Sequence, residues 1–329
     1  MRMLVTGGAG FIGSHYVRSL LTHAWGATSP DRVVVLDKLS YAGSTSNLDP
    51  VRHDERLQFV HGDILDRSLV DGLMAEVDAV VHFAAESHVD RSILGADDFV
   101  MTNVAGTEVL LSSALQHAVD RFVHVSTDEV YGSIETGSWD ESCPLEPNSP
   151  YSASKASSDL LVRAYFRTHG LPACITRCSN NYGPYQFPEK VIPLFVTNLL
   201  NGGTVPLYGT GENMRDWLHV DDHCRGIHLV LEGGRPGQVY NIGGGRELSN
   251  RELTGLILAG CGAGWDRVEH VPDRLGHDLR YSVAIDKIRD ELGYRPQIRF
   301  EDGLAETVRW FTDNRGWWEP LKGRASLSR

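Results

Sequence analysis

The sequence predicts an α/β fold: a doubly wound, mostly parallel sheet, followed by a smaller mixed α/β C-terminal region. Three observations carry this reading. Short apolar runs alternate with helical patterns through the first half of the chain, the signature of βαβ units and a parallel sheet. A glycine cluster, Gly7-Gly8-Ala9-Gly10-Phe11-Ile12-Gly13, stands between the first apolar run and the first helical pattern. Beyond about residue 180 the alternation weakens, and prolines and glycines recur at Pro188, Pro193, Gly202, Gly203, Pro206, Gly209 and Gly211. The expected division is therefore 1–180 for the first domain, with return segments at about 217–244, and 181–329 for the smaller one. A chain of 329 residues has room for both.

Met3-Leu4-Val5-Thr6 reads as the first buried strand, and Ser14 to about Ala24 as the first helix. Between them, Gly7, Gly10 and Gly13 permit a tight bend, close backbone approach to a pyrophosphate, and close packing of helix on strand. The free N–H groups of the helix start then face the phosphates. Val33-Val34-Val35-Leu36 is a second strand, ending in Asp37, 24 residues after Gly13. An acid there accepts hydrogen bonds from the adenosine ribose and repels a 2′-phosphate, so a Rossmann-type site for NAD rather than NADP is expected. Leu57 to His61 is the third strand, followed by Gly62-Asp63-Ile64, where Asp63 also reads as an ordinary helix N-cap. A helical pattern at 66–76 leads to a strand from Ala79 to Ala84. The polar run Glu86-Ser87-His88-Val89-Asp90 leaves that strand end, with a surface turn as the plain reading of His88 and Asp90.

A helix at 98–119 precedes the strand Arg121 to Ser126, which ends in Thr127-Asp128-Glu129. A hydroxyl and two carboxyls at the carboxyl end of a parallel strand stand where such sheets bind ligands. Residues 132–150 read as a loop that delivers Tyr151 and Lys155, four apart on one face of a helix from about Ser152 to Thr168. A neighbouring ammonium favours the phenolate, so Tyr151 is expected to titrate nearer neutrality than its ordinary value of about 10 and to serve as a base. Leu160, Leu161, Ala164, Tyr165 and Phe166 exceed what one buried face needs; the surplus is either dimer interface or core. Ala173 to Cys178 is a further strand, and Asn180-Asn181 after it reads either as amides for a sugar or nicotinamide, or as a turn. Arg215, Arg274, His277 and Arg280 supply cationic donors suited to a diphosphate. The tail from Lys322 is short and polar and reads as disordered.

The net charge of -12 argues against a nucleic-acid partner. Five cysteines, an odd number with no Cys-x-x-Cys pair, favour reduced thiols and a cytoplasmic location. The apolar start stops at Gly7, so no signal peptide is expected, and no window approaches the ~20 apolar residues of a membrane span. No metal site is expected.

Taken together, the glycine cluster, Thr127-Asp128-Glu129-Val130-Tyr131-Gly132 and Tyr151-x-x-x-Lys155 resemble the extended short-chain dehydrogenase/reductase family. The Asp128-Glu129 pair, the run Ala85 to Ser92, Asn180 to Tyr185 and Gly276-His277-Asp278 are similar to its nucleotide-sugar 4,6-dehydratases. The epimerases and decarboxylases of the family share the glycines and the Tyr/Lys pair but lack Asp-Glu. The resemblance implies loss of water from dTDP-glucose, with hydride stored on bound NAD, within deoxysugar biosynthesis, by a homodimer joined through a four-helix bundle. It implies that Tyr151, with Lys155 and Thr127, oxidises C4, that Glu129 removes the C5 proton, and that Asp128 protonates the departing C6 hydroxyl. The sequence leaves open which carboxyl holds the proton at rest. It further implies NAD contacts at Phe11, Ile12, Asp37, Lys38, Ser40, Asp63, Ile64, Ala85, Thr102, Tyr151, Lys155 and Asn181. Substrate contacts are implied at Ser87, Thr127, Asn180, Lys190, Pro206, Tyr208, Arg215, Asn250, Arg274 and His277. Two rivals remain: another epimerase or decarboxylase of the family, or a non-catalytic NAD-binding regulator on the same fold.

Overall fold

The computed structural model describes residues 1–26, 29–273 and 276–327. The first three strands are β1 (Arg2–Thr6), β2 (Arg32–Asp37) and β3 (Leu57–His61). They are followed by β4 (Ala79–His82), β5 (Arg121–Thr127) and β6 (Ala173–Cys178). β1, β2, β4, β5 and β6 are mostly apolar runs buried on both faces, as parallel strands between helices must be, whereas the edge strand β3 is only partly buried. The later strands are β7 (Asn180–Tyr182), β8 (Val205–Tyr208), β9 (Met214–His219), β10 (Val239–Ile242), β11 (Glu247–Ser249) and β12 (Val268–Val271).

The main sheet has the order β10-β6-β5-β4-β1-β2-β3, and every pairing in it is parallel. The chain runs outward from β1 through β2 to β3, then returns to β4 on the other side. That reversal is the topological switch point, and ligands of such sheets bind outside the carboxyl ends of the strands there. One face of the sheet packs on the helices Phe11–Leu21 and Val220–Gly233, through Tyr16, Val17, Cys224 and Ile227. The other packs on Arg67–Met74, Gly106–Gln116 and Pro150–His169, through Val70, Leu110 and Val162. A third cluster, with Phe195, Trp217, Leu253, Phe311 and Trp318, forms the core of the C-terminal part. Two small sheets accompany it, β11-β9-β7 and β12-β8.

Several expectations shift. The first helix starts at Phe11 rather than Ser14 and ends at Leu21. The expected helix 98–119 is interrupted by a π turn, Val100–Ala105, before Gly106–Gln116. Trp217 to His219 lie in the three-stranded sheet, so the chain rejoins the main sheet only with the helix Val220–Gly233 and β10. The tail is not disordered at Lys322: it belongs to a helix, Arg315–Leu327, pinned by the fully buried Trp318.

Candidate active site

The glycine turn leaves β1 with no space for side chains. Gly7 has φ +69°, and a Cβ there would stand 2.6 Å from the Ala84 nitrogen; one on Gly13 would stand 2.3 Å from the Gly7 oxygen. Gly10 caps the following helix, whose first-turn N–H groups at Phe11, Ile12 and Gly13 lie at the wall of a cavity. Asp37, at the end of β2, accepts from Ala9 N (2.9 Å) and Leu39 N (2.8 Å), which ties the turn to the acid meant for the ribose. Burial raises its pKa, and those two N–H groups oppose the rise. Lys38 Nζ donates to Thr102 Oγ1 (3.1 Å) and lies 3.9 Å from Asp63. Asp63 is not a helix cap: Asp66 accepts from Leu69 N in that role, leaving Asp63 on the cavity wall.

Thr127 ends β5 and caps the 3₁₀ turn Asp128–Tyr131, accepting from Glu129 N (3.2 Å) and donating to Asp128 Oδ1 (3.4 Å). Asp128 is 2% exposed. Burial first, then the neighbouring Glu129 and Asp216 carboxylates, hold its pKa well above the usual carboxylate range; Arg215 and the Thr127 hydrogen bond oppose this weakly. Of the pair, Asp128 is the one whose surroundings favour the neutral acid.

Tyr151 and Lys155 ride on the helix Pro150–His169. Proline at its first position and a reciprocal cap between Ser149 and Ser152 fix its start. The expectation that Lys155 draws Tyr151 toward neutrality is not met. Burial, then Glu129, push the phenol well above its ordinary value, with the Thr127 hydrogen bond opposing. Lys155 Nζ instead donates to Val125 O at 2.8 Å, and burial pulls the ammonium down to about 8. In the protein alone the low dielectric outweighs the cation.

The remaining expected residues come from distant parts of the chain. Asn180 and Asn181 lie on β7, and His223 Nδ1 stands 2.9 Å from Asn181 Oδ1. Lys190 Nζ donates to Ser87 O at 3.0 Å. Pro206 and Tyr208 belong to β8, and Asn250 opens a helix. Arg215 donates to Asp278 O (2.9 Å) with its guanidinium 4.3 Å over the Tyr281 ring. All the expected catalytic, cofactor and substrate positions on described residues line one cavity of about 970 Å³, near the top of the range for ligand sites. Arg274 lies outside the described residues. Arg280 is a correction: it forks onto Glu247 at 2.6 and 2.7 Å and is not part of the cavity wall. His88 is no plain surface turn, since it caps the helix Val89–Leu94 and lines the cavity.

Polar wall residues given no role by the sequence reading include Arg91, Glu189, Tyr281 and Lys322. Tyr41 OH donates to Glu189 at 2.9 Å, while the Arg91 guanidinium sits 3.8 Å over the Tyr41 ring. Arg91 was signalled by the run Ala85 to Ser92, and Glu189 by its neighbour Lys190. Among the described residues no group of three or more His, Cys, Asp or Glu could hold a metal, and no helix is long and apolar enough to cross a membrane.

The sequence matches the family described as GDP-mannose 4,6 dehydratase over residues 4–307. The chain belongs to this family. It is 64% identical over 325 residues to a dTDP-glucose 4,6-dehydratase of Streptomyces antibioticus, covering 98% of this chain and 96% of that one. It is 45% identical to the dTDP-glucose 4,6-dehydratase of Escherichia coli, covering 97% and 96%. Among solved structures, DesIV, a dTDP-glucose 4,6-dehydratase from Streptomyces venezuelae with NAD and TYD bound, is 67% identical with a TM-score of 0.97, covering 98% and 100%. A UDP-glucose 4-epimerase of Thermotoga maritima is 31% identical with a TM-score of 0.88, covering 96% and 100%. Within this family the glycine cradle and Asp37 fit a dinucleotide: side chains are excluded where phosphates approach, and an acid stands at the ribose end.

Proposed function

We propose that the chain converts dTDP-glucose to dTDP-4-keto-6-deoxyglucose and water, as an NAD-dependent hydro-lyase of deoxysugar biosynthesis. The observation that carries this reading is the pairing of a buried Asp128, its pKa raised by that burial, with Glu129 in the same cavity as Tyr151 and Lys155. An epimerase needs only the second pair. The naming of relatives up to 64% identical as dTDP-glucose 4,6-dehydratases supports the substrate.

The glycine turn, Asp37, Lys38, Ser40, Asp63, Ile64, Ala85, Thr102 and Asn181 would hold NAD, which would supply hydride storage between C4 and C6. Tyr151 takes the C4 hydroxyl proton, with the Lys155 ammonium buried nearby to favour the charged phenol. The new ketone acidifies C5, and Glu129 takes that proton. Asp128, as a neutral acid, protonates the departing C6 hydroxyl. Ser87, Asn180, Lys190, Pro206, Tyr208, Arg215, Asn250, Arg274 and His277 hold the nucleotide sugar. Each general acid or base contributes roughly 100- to 10,000-fold. The NAD-binding domain is 1–180 with the return near 217–244, and 181–329 grips the nucleotide sugar. The enzyme works as a homodimer in the cytoplasm.

The test is incubation with dTDP-glucose and UDP-glucose side by side, read by mass. Loss of one water from dTDP-glucose, with UDP-glucose far slower, is expected. An isomer of unchanged mass would instead mean an epimerase.

A further inference from the structure

Two stretches of the chain meet beside the cavity, and the residues that join them have no part in the chemistry above. The first follows β2 and runs from Leu39 to Ser44. Both of its ends are tied to the cofactor side: Leu39 N donates to Asp37 Oδ1 at 2.8 Å, and Ser44 N to Ala9 O at 3.1 Å. It folds tightly on Asp37, since a Cβ on Gly43 would stand 3.0 Å from Asp37 Oδ1. The second stretch follows β7 and runs from Tyr185 to Lys190. The Tyr185 ring packs on the Arg18 guanidinium (4.2 Å) and on the Trp310 ring (4.5 Å), and Gln186 Nε2 donates to Asn181 O at 2.8 Å. Each stretch starts at a non-glycine residue with left-handed backbone, φ +52° at Leu39 and +67° at Tyr185. Side chains disfavour that region, and it persists where the surroundings hold it.

We propose that the hydrogen bond from Tyr41 to Glu189 is a latch that joins these stretches across the cofactor end of the cavity and must break before NAD leaves. The inference rests on the reading that this chain holds NAD. Tyr41 OH donates to Glu189 Oε1 at 2.9 Å, and the Tyr41 ring meets Phe187 edge-on at 5.6 Å. The Arg91 guanidinium lies 3.8 Å over the same ring, and His88 Nε2 stands 3.8 Å from the other Glu189 oxygen. The Glu189 side chain is 9% exposed, so the bond is shielded from competing water. Burial, then the Glu189 charge, push the Tyr41 phenol up, so it stays protonated and donates. Phe187, Pro188 and Glu189 line the cavity on one side, and Ser40, Ala42 and Gly43 on the other side of the bond. In the proposed reaction the hydride stored from C4 is given back at C6, so no turnover requires the cofactor to leave. A closure of this kind therefore costs nothing in rate, as it would in an enzyme that must exchange its nicotinamide each cycle.

The test is the release rate of the cofactor. Enzyme loaded with isotopically labelled NAD is mixed with excess unlabelled NAD, and the label still bound is read by mass after rapid filtration. Tyr41→Phe keeps the ring and removes the donor; Glu189→Ala removes the acceptor. Each should release label at least about tenfold faster than wild type, the change expected for loss of a hydrogen bond to a charged group. The double variant should release it no faster than the faster single, because both act through one contact. A single turnover of dTDP-glucose by Tyr41→Phe at saturating NAD should keep the wild-type rate. Should Glu189→Ala not fold, Glu189→Gln, which keeps an acceptor without the charge, must fall between wild type and Tyr41→Phe. Release from the variants at the wild-type rate overturns the latch. So do effects that multiply in the double variant, or a first turnover slowed in Tyr41→Phe, which would put Tyr41 in the chemistry. A wild type that holds no labelled NAD overturns the latch together with the cofactor reading beneath it; a wild type that holds it while the variants release it no faster overturns the latch alone.

Discussion

At the scale of single residues, the two carboxyls differ because their surroundings differ. Asp128 is sealed beside another acid, which favours its neutral form; an amide in its place keeps the shape and loses the acidity. Asp128→Asn should therefore still oxidise C4 and should accumulate reduced nicotinamide, seen by absorbance and fluorescence, when dTDP-glucose is added. Its turnover should fall by roughly 100-fold or more. Tyr151→Phe should show neither product nor reduced nicotinamide; if it forms the reduced cofactor and Asp128→Asn does not, the roles are reversed. The sign of the pH effect follows from Lys155. Its ammonium is pulled down to about 8, so its charge, and the help it gives the Tyr151 phenolate, is lost as pH rises through that value. The half-reaction of Asp128→Asn should weaken above about pH 8. Thr127, Asp128, Glu129, Tyr151 and Lys155 were legible because each motif is contiguous, or spaced by one helical turn. What the sequence hid depends on burial and on distant chain: the raised carboxyl of Asp128, the high phenol of Tyr151, and the wall residues Tyr281 and Lys322.

At the scale of elements, strands β1, β2, β4, β5 and β6 were legible because a strand covered on both faces is written as a mostly apolar run, and the partly buried edge strand β3 kept enough of that run to be read too. The π turn at Val100–Ala105 has no such signature, and the three-residue strands β7 and β11 are too short for a period to show. Strands β4 and β5 also carry polar groups inward. His82 bonds Thr6 (2.7 Å) and Thr107 (3.0 Å), and His124 sits with its ring 5.2 Å from that of His82, close to Asp159 on the catalytic helix. Burial lowers both, His124 to about 4. In the unfolded chain a histidine titrates near 6.5, so between about pH 6.5 and 4 the unfolded state binds a proton that the fold refuses. Stability should fall as pH drops through this window, by up to about 1.4 kcal/mol per pH unit for each such histidine. His124→Asn should flatten the acid side of a calorimetric Tm–pH curve. An unchanged slope would show that His124 takes its proton without unfolding.

At the scale of the whole molecule, the apolar surplus of the catalytic helix divides in a way the sequence did not settle. Leu161 and Tyr165 are partly buried against the core beside the sheet, and Tyr165 OH donates to Glu108 at 3.1 Å. Leu160 faces outward at 53% exposure. Ile93, Val100 and Met101 are also exposed, on segments that pack against the same helix. Exposed apolar side chains on adjoining helices motivate the expectation of an association surface. Two helices from each copy would close this face as a four-helix bundle, and the same helix would then carry Tyr151 at its start and the interface along its length. Wild-type protein should sediment as a dimer at micromolar concentration, and its Tm should rise with concentration, because association stabilises only the folded chain. Leu160→Glu puts a charge on the exposed apolar face of the catalytic helix and should yield a monomer whose Tm no longer depends on concentration. Since Leu160 is exposed within one chain, the substitution should leave the monomer's own fold intact by circular dichroism. A wild type that sediments as a monomer would remove the bundle from the account and leave this face to another partner.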